Sequence, residues 1–245
     1  KNSEQTNRPV FADMRTAIGF RSETKEMSYP IVAARSEGSR FWDIDGNEYV
    51  DLCMGFGVAF FGHQPSFVKE ALVEQMDKGV HVGPQSSDAA DVARLICELT
   101  GMERVTFCNS GTEAVMTAIR VARAATGRQR IATFTGAYHG HSDATLALAG
   151  IPGRGESAVP MAPGVPPSSI ADTIVLPYGL DKSLKVIEAE ASTLAAVIVE
   201  PVQSRRPGLQ PAEFLRAVRE ITRRHNVPLI FDEVITGFRI HPGGS

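Results

Sequence analysis

Two short segments carry residue types that could hold a small charged ring between them. The first is Phe231-Asp232-Glu233-Val234-Ile235-Thr236-Gly237-Phe238-Arg239. An apolar run, Val227 to Phe231, precedes Asp232 and reads as a parallel strand that delivers it to the carboxyl edge. Ligands bind at that edge in open α/β sheets. A carboxylate there can pair with a protonated ring nitrogen. The second segment is Cys108-Asn109-Ser110-Gly111-Thr112-Glu113-Ala114, a small polar turn between the run Val105–Phe107 and an Ala-rich helix. A helix start offers free N–H groups and a positive dipole end to an anion. Gly111 lets the backbone come close, and the hydroxyls of Ser110 and Thr112 add donors. Together the segments supply an anion cradle and a carboxylate for a heterocycle. Taken singly, the Ser-Gly-Thr turn reads equally as an ordinary helix cap, and Asp232 as a cap or a surface acid.

Two further segments end strands in the same way. Tyr138-His139-Gly140-His141 follows the apolar run 131–134. An aromatic side chain there can stack on a planar cofactor, with His139 orienting it; rings that merely pack would look the same. His139 and His141 lack a third ligand in pattern, so a metal site is not expected. Glu200-Pro201-Val202-Gln203 closes the run Ala195–Val199. Gln203 can donate to a phenolate oxygen, or cap a solvated loop. Arg205 and Arg206 can meet an anionic substrate or simply face water. The conjunction outweighs each bland reading: four candidate groups end successive parallel strands on one edge.

The elements that must position them follow a strand–helix rhythm. The predicted strands are 105–108, 131–134, 173–177, 195–200 and 229–232, and the helices 111–126, 181–191 and 211–225. Short apolar strands alternating with helices imply an α/β fold whose mainly parallel sheet is covered on both faces. Upstream, residues 1–28 are polar and read as an arm or short helix. Runs 40–44 and 48–52 flank Asp45-Gly46-Asn47, a strong hairpin signal. Gly55 to Gly62 reads as a loop. Pro65 should open a helix to Lys78 from its first turn, and Ser87 should cap another that ends at Thr100. Residues 150–170 are rich in Pro and Gly and read as a long loop over the site. The expected division is 1–80, an arm and small lobe, and 81–245, part of a larger α/β domain.

Composition narrows the function classes. A hydrophobic share of 43% and a charged share of 22% are those of an ordinary globular protein. A net charge of −3, with Arg and Lys scattered, leaves no basic footprint for nucleic acid or an anionic membrane. No apolar run approaches membrane-spanning length. Cys53, Cys97 and Cys108 are odd in number and lack metal-ligand spacing. They are expected as buried, reduced thiols of a cytoplasmic protein, Cys108 as a small packed residue. No Gly-x-Gly-x-x-Gly or phosphate-binding Lys motif points to a nucleotide.

In this order, the motifs resemble class III (omega-type) aminotransferases, which are fold type I pyridoxal phosphate enzymes. The resemblance runs from the Phe41–Leu52 hairpin to Arg239. It implies that Ser110, Gly111 and Thr112 bind the cofactor phosphate, and that Tyr138 stacks on the ring with His139 beside it. It implies that Glu200 supports the site, Gln203 reaches the ring hydroxyl, Asp232 pairs with the pyridine nitrogen and Val234 packs on the other ring face. The implied reaction moves an amino group from an amino acid donor to a keto or aldehyde acceptor, in a homodimer.

The hairpin and Asn109–Ala114 are similar to the glutamate-1-semialdehyde aminomutase branch, which shifts nitrogen within one molecule and needs no external donor. Loop 150–170 would be its retaining lid. The run Glu200 to Pro211 resembles aminotransferase domains of hybrid polyketide/nonribosomal peptide synthases, which aminate a β-ketoacyl chain on an acyl carrier protein. A non-catalytic carrier-binding or assembly module of the same fold is the third reading. The family's catalytic lysine, and a threonine given by the dimer partner, follow the Asp232 motif. No lysine, and so no threonine following one, stands between Asp232 and Ser245, while Lys182 and Lys185 fall on a helix expected to face solvent. The residues read here are therefore expected to belong to a longer polypeptide.

Overall fold

A run of six apolar residues, Leu194-Ala195-Ala196-Val197-Ile198-Val199, is buried along its whole length. Burial on both faces demands a layer on each side. A computed structural model of the chain describes residues 9–11, 22–23, 31–80, 83, 85–150 and 158–245. It divides into two compact units, residues 1–84 and 85–245.

In the first unit, β1 (Ala33–Glu37), β2 (Arg40–Asp43) and β3 (Glu48–Val50) form an antiparallel sheet in that order. The predicted Asp-Gly turn joins β2 to β3. The Asp43 carboxylate fastens it by accepting the N–H groups of Asp45 and Asn47, each at 2.9 Å. β1 has no alternating pattern and was not anticipated; its Arg35 guanidinium lies 3.4 Å over the Trp42 ring, an attraction added by tertiary contact. α1 (Ser66–Lys78) starts one residue beyond Pro65, which occupies the cap position. The Gly55–Gly62 loop is closed at its neck, where His63 Nε2 meets the Asp51 carboxylate at 2.7 Å.

The second unit contains α2 (Asp88–Thr100), α3 (Gly111–Thr126), β4 (Arg130–Phe134), β5 (Ala147–Leu148), β6 (Val159–Pro160), β7 (Thr173–Leu176), α4 (Asp181–Glu190), β8 (Leu194–Val199), α5 (Ala212–Arg224) and β9 (Leu229–Phe231). Its main sheet has the order β7-β4-β8-β9, with every pairing parallel. The period-two alternation of a strand sorts β8 into two cores. Val197 and Val199 pack with Phe134, Ile187, Phe214 and Val218, while Ala196 and Ile198 pack with Val115, Ile119 and Ile131. The expected sheet with helices on both faces is present. Lys182 and Lys185 are exposed on α4, as expected.

Four sequence expectations are corrected. Val105–Cys108 is not a strand, because β9, at the sheet's edge, pairs only with β8 and nothing pairs with that run among the described residues. An apolar tetrapeptide becomes a strand only when a neighbouring edge satisfies its backbone. Cys108, left outside the sheet, is exposed, as is Cys53, and Cys97 is half-buried; all three are free thiols rather than packed ones. Ser87 does not cap α2; the Ser86 hydroxyl accepts the Asp88 N–H at 3.3 Å instead. Part of the predicted 150–170 loop is ordered: β6 pairs with β5, and Val165 and Ile170 pack with Ala147 against Val175 of β7. Residues 151–157, and most of the predicted N-terminal arm, lie outside the described residues. Among the described residues, no helix is long and apolar enough to cross a membrane.

At the amino-terminal edge of the sheet, the Arg128 guanidinium donates to Ala191 O (3.1 Å) and Leu194 O (3.2 Å), tying the end of α4 to the start of β8. Replacing it strands two carbonyls that a charged donor had satisfied. Arg128→Met should lower the unfolding free energy by about 2 kcal/mol while leaving ligand binding at the opposite edge unchanged. Urea unfolding with a parallel binding titration checks both halves.

Candidate functional site

At the carboxyl edge, three adjacent strands hand over to three short polar loops. β9 ends in Asp232, whose N–H still donates to Val199 O at 2.8 Å, so the carboxylate is launched from the sheet and not from a mobile turn. Its Oδ1 accepts the Val234 N–H at 3.2 Å. Its Oδ2 lies 2.8 Å from His139 Nδ1. Both side chains are almost fully buried, at 6% and 2% exposed. A carboxylate only accepts, so His139 Nδ1 carries the hydrogen. That leaves His139 Nε2 buried and without a partner.

β8 ends in Glu200, whose Oε2 accepts the Tyr138 N–H at 3.1 Å. The two strand ends are thus tied across the edge. Burial pushes the Glu200 carboxyl above its ordinary range, against the pull of the Tyr138 N–H and nearby His139. Tyr178, two residues past β7, donates its hydroxyl to Glu200 O (3.0 Å) and Pro201 O (2.8 Å). Burial, with the Glu200 charge beside it, raises that phenol to about 12, so it remains a donor. Gln203 Nε2 donates to Thr135 O at 3.1 Å, and its Oε1 is buried without a partner.

The start of α3 closes on this edge. Ser110 caps the helix by accepting the Glu113 N–H at 3.2 Å, and the Glu113 carboxylate reaches back to the Asn109 N–H at 2.7 Å. The cap leaves the Ser110 hydroxyl hydrogen free to donate. The N–H groups of Gly111 and Thr112 have no protein partner among the described residues, as expected of a first turn. Thr112 Oγ1 accepts the His141 N–H at 3.3 Å. Gly140, at φ +82°, passes so near that a Cβ there would lie 2.5 Å from Thr112 Oγ1. A Cβ on Gly111 would lie 3.1 Å from Val234 Cγ2. Around the buried pair, Tyr138 (47% exposed) and Val234 (58% exposed) present open apolar surface.

One edge therefore gathers anion-seeking N–H groups, a buried carboxylate fixed by an imidazole, and an exposed aromatic ring. Residues 21–243 match the family model described as aminotransferase class-III. The chain belongs to the class-III aminotransferase family. It is 42% identical over 219 residues to a glutamate-1-semialdehyde 2,1-aminomutase of Chloroflexus aggregans, a match covering 88% of this chain and 50% of that protein. Its fold matches an omega-transaminase from Sphaerobacter thermophilus with a TM-score of 0.85 at 36% identity, over 98% of this chain and 56% of the other. A transaminase with PLP bound matches at 0.80 and 32% identity, over 94% and 56%. The chain spans about half the length of the curated relatives it matches.

Class-III aminotransferases are fold type I enzymes that use pyridoxal phosphate, and the residues present fit that group. The free N–H pair of α3 suits a phosphate, Asp232 suits a protonated pyridine nitrogen, and the orphaned His139 Nε2 and Gln203 Oε1 mark buried polar groups that face the same edge. Of the residues singled out from sequence, His139 and Val234 bond Asp232, Tyr138 bonds Glu200, Gly111 lies beside Val234, Ser110 caps the helix, Thr112 bonds His141 and Gln203 bonds Thr135. Arg205 and Arg206 are exposed on the loop after β8. The Gly55–Gly62 loop belongs to the other unit, and His81, Val82 and Pro84 lie outside the described residues. Tyr178 and Gly140 escaped the sequence reading. The signal for Tyr178 was available: Pro177-Tyr178-Gly179 also follows a strand on this edge.

Two outcomes follow. Gly140→Ala and Gly127→Ala both force a side chain into left-handed backbone, but only the first meets other atoms, Gly127 having nothing within 4 Å. Gly140→Ala should therefore lose at least about 2 kcal/mol more than Gly127→Ala in chemical unfolding; equal losses would contradict the clasp. For Glu200, a folded value above the ordinary 4.5 means the folded state binds its proton more tightly than the unfolded state. Stability from this group is then lost as pH rises from about 4.5 through the folded value. Glu200→Gln keeps an acceptor for Tyr138 without that titration. Its stability relative to wild type should climb over this window, and a flat difference would count against the assignment.

Proposed function

We propose that these residues form the ring- and phosphate-holding part of a pyridoxal phosphate-dependent aminotransferase, moving an amino group from an amino acid donor to a keto or aldehyde acceptor. The observation that carries this reading is the buried Asp232–His139 pair at 2.8 Å beside an exposed aromatic ring and a helix start whose Gly111 and Thr112 N–H groups have no protein partner among the described residues. When bound, the cofactor supplies an electron sink for the negative charge developing beside the transferred nitrogen. The chain's own residues do the rest of what is described here. The N–H groups of Gly111 and Thr112, with the hydroxyls of Ser110 and Thr112, hold phosphate oxygens. Asp232 keeps a proton on the ring nitrogen, and His139 holds Asp232 in place. Tyr138 and Val234 supply apolar surface for the ring. The second amide hydrogen of Gln203 is free to reach a ring oxygen. A lysine further along the polypeptide would move the substrate proton.

A homodimer in the cytoplasm is part of this proposal; the three free thiols support a reducing compartment. The likeness of Glu200–Pro211 to synthase-embedded domains supports an acceptor held as a β-ketoacyl thioester on an acyl carrier protein. The 42% identity to an aminomutase supports a second reading, transfer within one molecule. Three assays on the protein carrying this sequence separate these. Asp232→Ala should abolish amino transfer with the fold retained, and full turnover in that variant would sink the assignment. Turnover without any external amino donor would favour the aminomutase. Equal rates on carrier-bound and free acids would remove the carrier protein from the account.

A further inference from the structure

Tyr178 is a core residue whose hydroxyl donates to the backbone carbonyls of Glu200 and Pro201 at the edge of the site. It sits two residues past β7, the outer strand, and its hydroxyl reaches the exit of β8, so the side chain crosses the end of β4 that lies between them. Its ring packs edge-on against Phe134 at 5.6 Å and Phe214 at 5.8 Å. Only 5% of it is exposed. The two carbonyls it serves, of Glu200 and Pro201, are buried and need a donor. Pro201 has no N–H of its own to anchor it.

We infer that Tyr178 is a positioning residue for the cofactor ring, acting through Glu200 on Tyr138. The path is short. The Tyr178 hydroxyl fixes the Glu200–Pro201 backbone, the Glu200 carboxylate accepts the Tyr138 N–H at 3.1 Å, and Tyr138 presents the exposed ring. Gln203, three residues on, spans to Thr135 in the same loop, so both polar ties between the β8 and β4 loops start from the segment that Tyr178 anchors. Loss of the hydroxyl leaves the aromatic core filled while releasing those ties.

This role rests on the proposed cofactor site. The test compares Tyr178→Phe with Val218→Ala, a deletion in the same core on α5 that removes no polar group. Two quantities are read well below either variant's unfolding midpoint: the dissociation constant for pyridoxal phosphate and the circular dichroism of its bound absorption band, which reports ring orientation. Tyr178→Phe should bind about tenfold more weakly and alter the band, whereas Val218→Ala should do neither despite a comparable loss of stability. Unchanged affinity and band in Tyr178→Phe, or equal changes in Val218→Ala, would overturn the positioning role alone. A wild-type protein that binds no pyridoxal phosphate would overturn the function proposal and this role with it.

Discussion

A carboxylate buried inside a protein must be partnered or it will not stay charged, and Asp232 imposes that demand on everything around it. Its partner is His139, on a different strand's exit loop. That loop must therefore be held at one height above the sheet. Glu200 and Gln203 hold it from the β8 side, and Tyr178 holds them from β7. Gly140 then lets the loop pass within contact of Thr112 at the start of α3. These contacts together hold the Asp232 carboxylate at the carboxyl edge of the sheet.

The two edges of the sheet divide the work. At the amino-terminal edge, Arg128 and the Arg130–Glu190 pair at 2.5 Å stitch connections together. At the carboxyl edge, polar atoms are left without partners: His139 Nε2, Gln203 Oε1 and the first-turn N–H groups of α3. Unsatisfied buried groups cost stability; a third such atom, Thr133 Oγ1, lies within β4 itself.

The sheet was legible because β8 and its neighbours are short apolar runs separated by helices of matching period; the structure shifts their bounds by no more than one residue. The helix 111–126 was legible to the residue, since Ser110 and Gly127 bracket it with a cap and a left-handed stop. The strand at 105–108 failed for a reason no local pattern contains: pairing depends on which edge is beside it. Cys108, in that run, is exposed with it. Asp232, Glu200 and Tyr138 were found by position at strand ends. Their couplings, such as Asp232 to His139 across 93 positions of sequence, and the strut from Tyr178, depend on strand order, which periodicity does not give.

The central claim is geometric, so a geometric measurement tests it best: a crystal structure of the protein with pyridoxal phosphate. The account predicts phosphate oxygens within hydrogen-bonding distance of the Gly111 and Thr112 N–H groups, and the ring nitrogen against the Asp232 carboxylate with His139 behind it. A cofactor seated elsewhere, or a ring whose nitrogen faces away from Asp232, would contradict it.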